Sequence, residues 1–150
     1  MRVAEARQRI ALPPGEALAL WLDMDRWPSF VEGFARVTEP DPAWPDPGAR
    51  IAWESIPGGR GQVTERIVER DEDHVVTEVF EDALTGRQTV RVGEAPGGAA
   101  IAVELEYTLA RGGPFRELAD VIFIRRALRD ALRRTLSRFA VEAEDEAGLR

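Results

Sequence analysis

The chain has 150 residues, 44% hydrophobic and 31% charged, which is the size and balance of one globular domain with a single core. A net charge of −7 disfavours nucleic acid and anionic lipid as partners, and the absence of cysteine excludes a disulfide framework, a zinc-thiolate centre and a thiol nucleophile. The first ten residues lack the apolar core of a signal peptide and no run approaches the ~20 apolar residues of a membrane span, so a cytoplasmic protein without a membrane span is expected.

Residues 2–12 alternate Val3, Ala4, Ala6, Ile10 and Leu12 with Arg and Glu and stop at Pro13-Pro14-Gly15, the pattern of an opening strand. From Glu16 to Asp23, good helix formers carry Leu18, Trp21 and Leu22 at i, i+3, i+4, which predicts a short helix with one buried face. A second short helix follows around Trp27-Pro28, with the proline in its first turn and Gly33 at its end. Four prolines between Pro40 and Pro47 make the next segment a stiff loop. Extended runs are then predicted at 49–56, 62–70, 74–82, 87–94 and 99–110, with connections short enough for antiparallel hairpins. In the last run Ile101, Val103, Leu105, Tyr107 and Leu109 share one face, and Ala102, Glu104, Glu106 and Thr108 the other. Gly112-Gly113-Pro114 breaks this strand and opens a helix expected to reach about Ala143. Its apolar stripe is Leu118, Val121, Ile124, Leu128, Leu132, Leu136 and Phe139, and the acidic tail 142–150 is expected to fray.

This order of elements is α+β, with helices segregated to one face of an antiparallel sheet. Together with Asp23, Asp25-Arg26-Trp27-Pro28, Gly48, Gly61, Glu65-Arg66 and the long terminal helix, it resembles the SRPBCC superfamily. That group includes START lipid-transfer domains, birch-pollen-allergen-like proteins and bacterial aromatase/cyclases. The resemblance covers nearly the whole chain and implies a helix-grip fold: about seven curved antiparallel strands around the C-terminal helix, with an elongated cavity between them. Within the superfamily the chain looks most like the single-domain polyketide cyclase/dehydrase set. For that set the resemblance implies that an arginine at Arg66 and a tyrosine just after the Trp-Pro turn bind or polarise a polyketide; here Arg66 matches, and Phe34 stands where the tyrosine would.

The residues themselves leave functional and structural readings side by side. Trp27, Phe30, Phe34, Trp53 and Phe80 are large aromatics that either contact a ligand or fill the core. Tyr107, the one tyrosine, lies on an apolar face where its hydroxyl needs a partner or a wet cavity. Arg125 falls within the helix stripe, where a guanidinium requires an anion: a sheet carboxylate such as Glu78, or a ligand carboxylate or phenolate. Arg66 poses the same question, because Val63, Ile67 and Val68 leave its face open. With His74 as the sole histidine, no Ser-His-Asp triad, metal site or cofactor is expected.

The leading expectation is a cavity that binds a small hydrophobic or aromatic molecule, lipid or polyketide-like. An enzyme reading has Arg66 or Arg125 stabilising an enolate while Tyr107 moves a proton. A third has an apolar patch at Phe123 docking a protein, a second copy of the chain included.

Overall fold

The computed structural model describes residues 2–109 and 116–149, with side chains from residue 122 onward in the last helix. The predicted break at Gly112-Gly113-Pro114 and the side chains of Leu118 and Val121 lie outside the described residues.

Seven strands form one curved antiparallel sheet: β1 (Arg2–Ile10), β2 (Phe34–Glu39), β3 (Arg50–Ser55), β4 (Gln62–Arg70), β5 (His74–Phe80), β6 (Leu84–Ala95) and β7 (Gly98–Leu109). Their order across the sheet is β1-β7-β6-β5-β4-β3-β2. Chain neighbours from β2 to β7 are therefore sheet neighbours, as short hairpin connections require, and β1 closes onto β7 along nine residue pairs. Between β1 and β2 run α1 (Pro14–Leu22), a 3-10 turn (Met24–Arg26) and α2 (Trp27–Phe30). The long helix α3 (Arg116–Gly148) completes a helix-grip arrangement.

Strand period sets the core. On β7, Ala99, Ile101, Val103, Leu105 and Tyr107 are all buried while Ala100, Glu104 and Thr108 are exposed, as the alternation predicts. On α1, Leu18, Trp21 and Leu22 are buried, as their helical spacing predicts. Along α3 the facing stripe is Ile124, Leu128, Leu132, Leu136, Phe139 and Ala143. Phe139 meets the rings of Phe30 and Trp21 edge-on at 4.9 and 5.3 Å between centroids.

The seventh strand that the resemblance implies is β2, between α2 and the proline-rich loop; its burial is too slight and irregular to show a strand phase. Three expectations change. Strand β6 begins at Leu84 and runs through Thr85-Gly86, because the turn is made by residues 81–83. Gly86 is there for close approach: a Cβ would lie 2.6 Å from the Glu106 carbonyl oxygen and 3.0 Å from Leu105 Cδ1. The C-terminal segment does not fray at residue 142 but stays helical to Gly148, since Arg26 bonds Glu142 and Glu146 at 2.9 Å each while Ala143 is fully buried. Finally, Arg125 is exposed, because it sits about 100° round the helix from Ile124, which carries the stripe.

Candidate functional site

The grip leaves a small inner chamber between the sheet and α3. Its walls are Trp21, Trp27, Trp53, Val79 and Leu132, and its polar groups are Arg60, Glu65, Gln88 and Thr135. The volume is about 60 Å³. Beyond Val31, Leu132 and Arg60 it adjoins a vestibule of about 250 Å³ bounded by the β3–β4 loop at Ile56–Gly59 and by Leu105, Leu128 and Ala131. Apolar walls with a few converging polar groups are the usual anatomy of a small-molecule site. Larger hollows of about 370 and 340 Å³ lie among charged side chains of the sheet's outer face, and another of about 440 Å³ lies between α1 and the proline-rich loop. None of these three is walled by Trp21, Trp27 or Trp53.

Sheet register assembles the chamber's polar floor. Trp53 pairs with Val63 and Ile51 with Glu65, so Trp53 and Glu65 are diagonal neighbours on one face. The Trp53 indole N–H donates to Glu65 Oε2 at 2.6 Å. Burial pushes the Glu65 carboxyl above the usual carboxylate range, against the opposing pull of that hydrogen bond and of Arg60. Arg60 lies with its guanidinium carbon 5.1 Å from the centre of the Trp53 ring and donates through Nε to Glu81 at 2.6 Å. The Glu81 side chain is only 4% exposed, so this cation has a buried counter-ion. At the rim, Thr135 Oγ1 accepts a hydrogen bond from the Glu32 backbone N–H, and Arg134 and Arg138 pair with the Glu32 carboxylate, fixing the α2–β2 turn to α3.

The structure brings some predicted residues to this chamber and places others elsewhere. Trp27 and Trp53 line it. Phe30 is fully buried against Trp21 and Phe139 as core. Phe34 packs on Trp27 and Trp53 from the β2 side. Trp44 anchors the proline-rich loop by donating to the Leu22 carbonyl at 2.9 Å.

The other predicted contacts lie away from this chamber. Arg66 points to the outer face, where it is half-exposed and paired with Glu78. Glu78 therefore answers Arg66 and not Arg125, which is itself exposed on α3. Phe80 is 44% exposed and borders an outer groove with Glu78, Arg87 and Glu106. Tyr107 is buried with Ala4, Leu84 and Leu105 beneath Ile124 and Leu128, its hydroxyl unpaired among the described residues, and it is not on the chamber wall.

Sequence reasoning gave no binding role to Glu65, Arg60, Gln88 or Thr135. A signal for Glu65 was present: Val63, Glu65 and Ile67 share strand parity. It was obscured by Val68, which a register shift between Ile67 and Glu69 carries out of phase. His74 is held between Asp73 at 3.0 Å and Glu69 at 2.9 Å, and these carboxylates raise its pKa above the ordinary 6.5. One of its ring nitrogens and one carboxylate oxygen each from Asp71 and Asp73 come within 4.8 Å of one another at the surface. On α3, Ile122 and Phe123 are exposed. No helix among the described residues is long and apolar enough to cross a membrane.

The profile of the family described as "Polyketide cyclase / dehydrase and lipid transport" matches residues 1–144, and the chain belongs to that family. No curated protein sequence matches it. Among solved structures, TTHA0849 from Thermus thermophilus superimposes with a TM-score of 0.76 at 15% identity, covering 97% of this chain and 99% of that one. One half of the di-domain ARO/CYC StfQ from the steffimycin biosynthetic pathway is similarly alike, with a TM-score of 0.75 at 16% identity over 97% of this chain and 51% of that one. Ara h 8.0201 matches with a TM-score of 0.62 at 14% identity, covering 92% and 97%. At these identities the likeness is one of fold.

Proposed function

We propose that this member of the polyketide cyclase/dehydrase and lipid transport family holds a small, largely apolar molecule, aromatic or polyketide-like, in the chamber and vestibule between its sheet and α3. The observation that carries this reading is the run of inward-facing Trp21, Trp27, Trp53, Val79 and Leu132 that opens between Ile56, Leu105 and Leu128. Size narrows it. A cavity of ~150 Å³ takes a benzene ring, so a chamber of about 60 Å³ admits the head of a ligand and no more. The body belongs in the vestibule, whose about 250 Å³ approaches the ~300 Å³ lower end of small-molecule pockets. One or two fused rings suit that space better than a long acyl chain. An enzyme built on Arg66, Arg125 and Tyr107 gains no support, since none of the three lines the chamber.

Native mass spectrometry of the protein from its own host, followed by extraction of bound material, tests the proposal. An apolar adduct near one per chain is expected in the wild type and is expected to be lost in Leu132→Trp, which fills the space shared by chamber and vestibule. An empty protein, or an adduct that Leu132→Trp retains, contradicts it.

A further inference from the structure

We infer that the Glu65 carboxyl is the recognition group of the chamber and selects a ligand whose inner end is a neutral ring hydroxyl, a phenol or enol, over one that ends in a carboxylate. The inference rests on the cavity reading above and names the head group that the cavity takes.

Hydrogen-bond capacity comes first. A carboxyl group offers about four acceptor positions, and among the described residues Trp53 alone donates to Glu65. A further donor fits there. Of the other polar groups on the wall, Arg60 donates through Nε to Glu81 and lies over the Trp53 ring, Thr135 Oγ1 accepts the Glu32 N–H, and Gln88 carries no charge.

Charge then decides the kind of donor. Arg60 is the one cation among the described lining residues and already pairs with the buried Glu81, so an anionic head would have to share that single cation with Glu81 and Glu65. A hydroxyl meets no such penalty. It donates to Glu65 when the carboxyl is ionised and accepts from it when burial keeps the proton on, so it suits both forms. Size agrees, because about 60 Å³ beside Trp53 and Leu132 accommodates a hydroxyl and the ring edge that bears it.

The test uses three probes of one ring system, 2-naphthol, naphthalene and 2-naphthoate, each titrated into the whole protein at pH 7. We expect 2-naphthol to bind about ten- to a hundredfold more tightly than 2-naphthoate, with naphthalene between them. Glu65→Gln keeps the shape and an acceptor for Trp53 but removes the charge; it is expected to cut the naphthol-over-naphthoate preference about tenfold while leaving naphthalene unchanged. The wild-type preference is read without any variant, so it stands even if Glu65→Gln folds poorly. Equal binding of 2-naphthol and 2-naphthoate, or a preference that Glu65→Gln leaves intact, overturns the role of Glu65 while the cavity reading survives. If none of the three binds, both fail.

Discussion

Glu65 and Arg66 are consecutive residues on β4, and they lead opposite lives. Glu65 faces inward, bonded by Trp53 and raised in pKa by burial, at the floor of a chamber roofed by α3. Arg66 faces outward, half-exposed, and pairs with Glu78 on the next strand. Glu78 is in turn opposite Arg87, and Arg87 opposite Glu106, so the outer face is a ladder of alternating charges. One step along a strand separates a desolvated carboxyl with functional potential from a solvated ion pair of small energetic weight. The residue carried over from the family resemblance lies on the solvated side, and the residue beside it lies on the cavity wall.

The contrast can be broken most forcefully from the inside. Phe139→Ala removes a fully buried ring that touches Phe30 and Trp21, and should cost about 3–5 kcal/mol of stability in urea unfolding, the scale of a large core truncation. A loss below about 1 kcal/mol would mean that α3 does not pack on the sheet as described.

A smaller effect comes from Glu65 itself. Its folded pKa lies above the ordinary 4.5, so between these two values the native state holds a proton that the unfolded chain has released. Stability must then fall as pH rises through that window. The groups setting it are Trp53 from β3, Arg60 from the β3–β4 loop and Glu81 from the β5–β6 turn, with burial the largest. Glu65→Gln should flatten the decline. A steeper decline in the variant would place the carboxylate in a charge-stabilised site and not a desolvated one.

Much of the fold was readable because its signals are periodic. The alternation on β7 fixed both the strand and its buried face, and the i, i+3, i+4 spacing on α1 and α3 fixed which helical sides meet the sheet. Strand β2 was not, because the partly exposed Phe34 and Val37 are its only apolar anchors and the pairing with β3 is shifted twice. The helix end was hidden for a different reason. An acidic tail reads as frayed until Arg26, more than a hundred residues away in sequence, supplies the cation that holds Glu142 and Glu146. The site was half legible: Trp27 and Trp53 could be named from residue type, but their partners depend on register. Only the pairing of β3 with β4 puts Glu65 beside Trp53, and only the loop at residues 56–61 brings Arg60 over the same ring.

The central claim, that ligand recognition belongs to the inner face of β4 and not to the outer, is tested most directly by the side-chain N–H signals of the four tryptophans. Trp53 donates to Glu65, Trp27 to the Trp21 carbonyl and Trp44 to the Leu22 carbonyl, so each reports on a different place. Two-dimensional NMR spectra would be recorded while 2-naphthol is added to the wild type and to Arg66→Ala. That substitution should cost under about 1 kcal/mol of stability, as an exposed ion pair does. The account predicts that the Trp53 signal moves in both proteins, with affinities within about twofold, while the Trp44 signal stays in place. Loss of the Trp53 shift in Arg66→Ala, or a shift confined to Trp44, would contradict it.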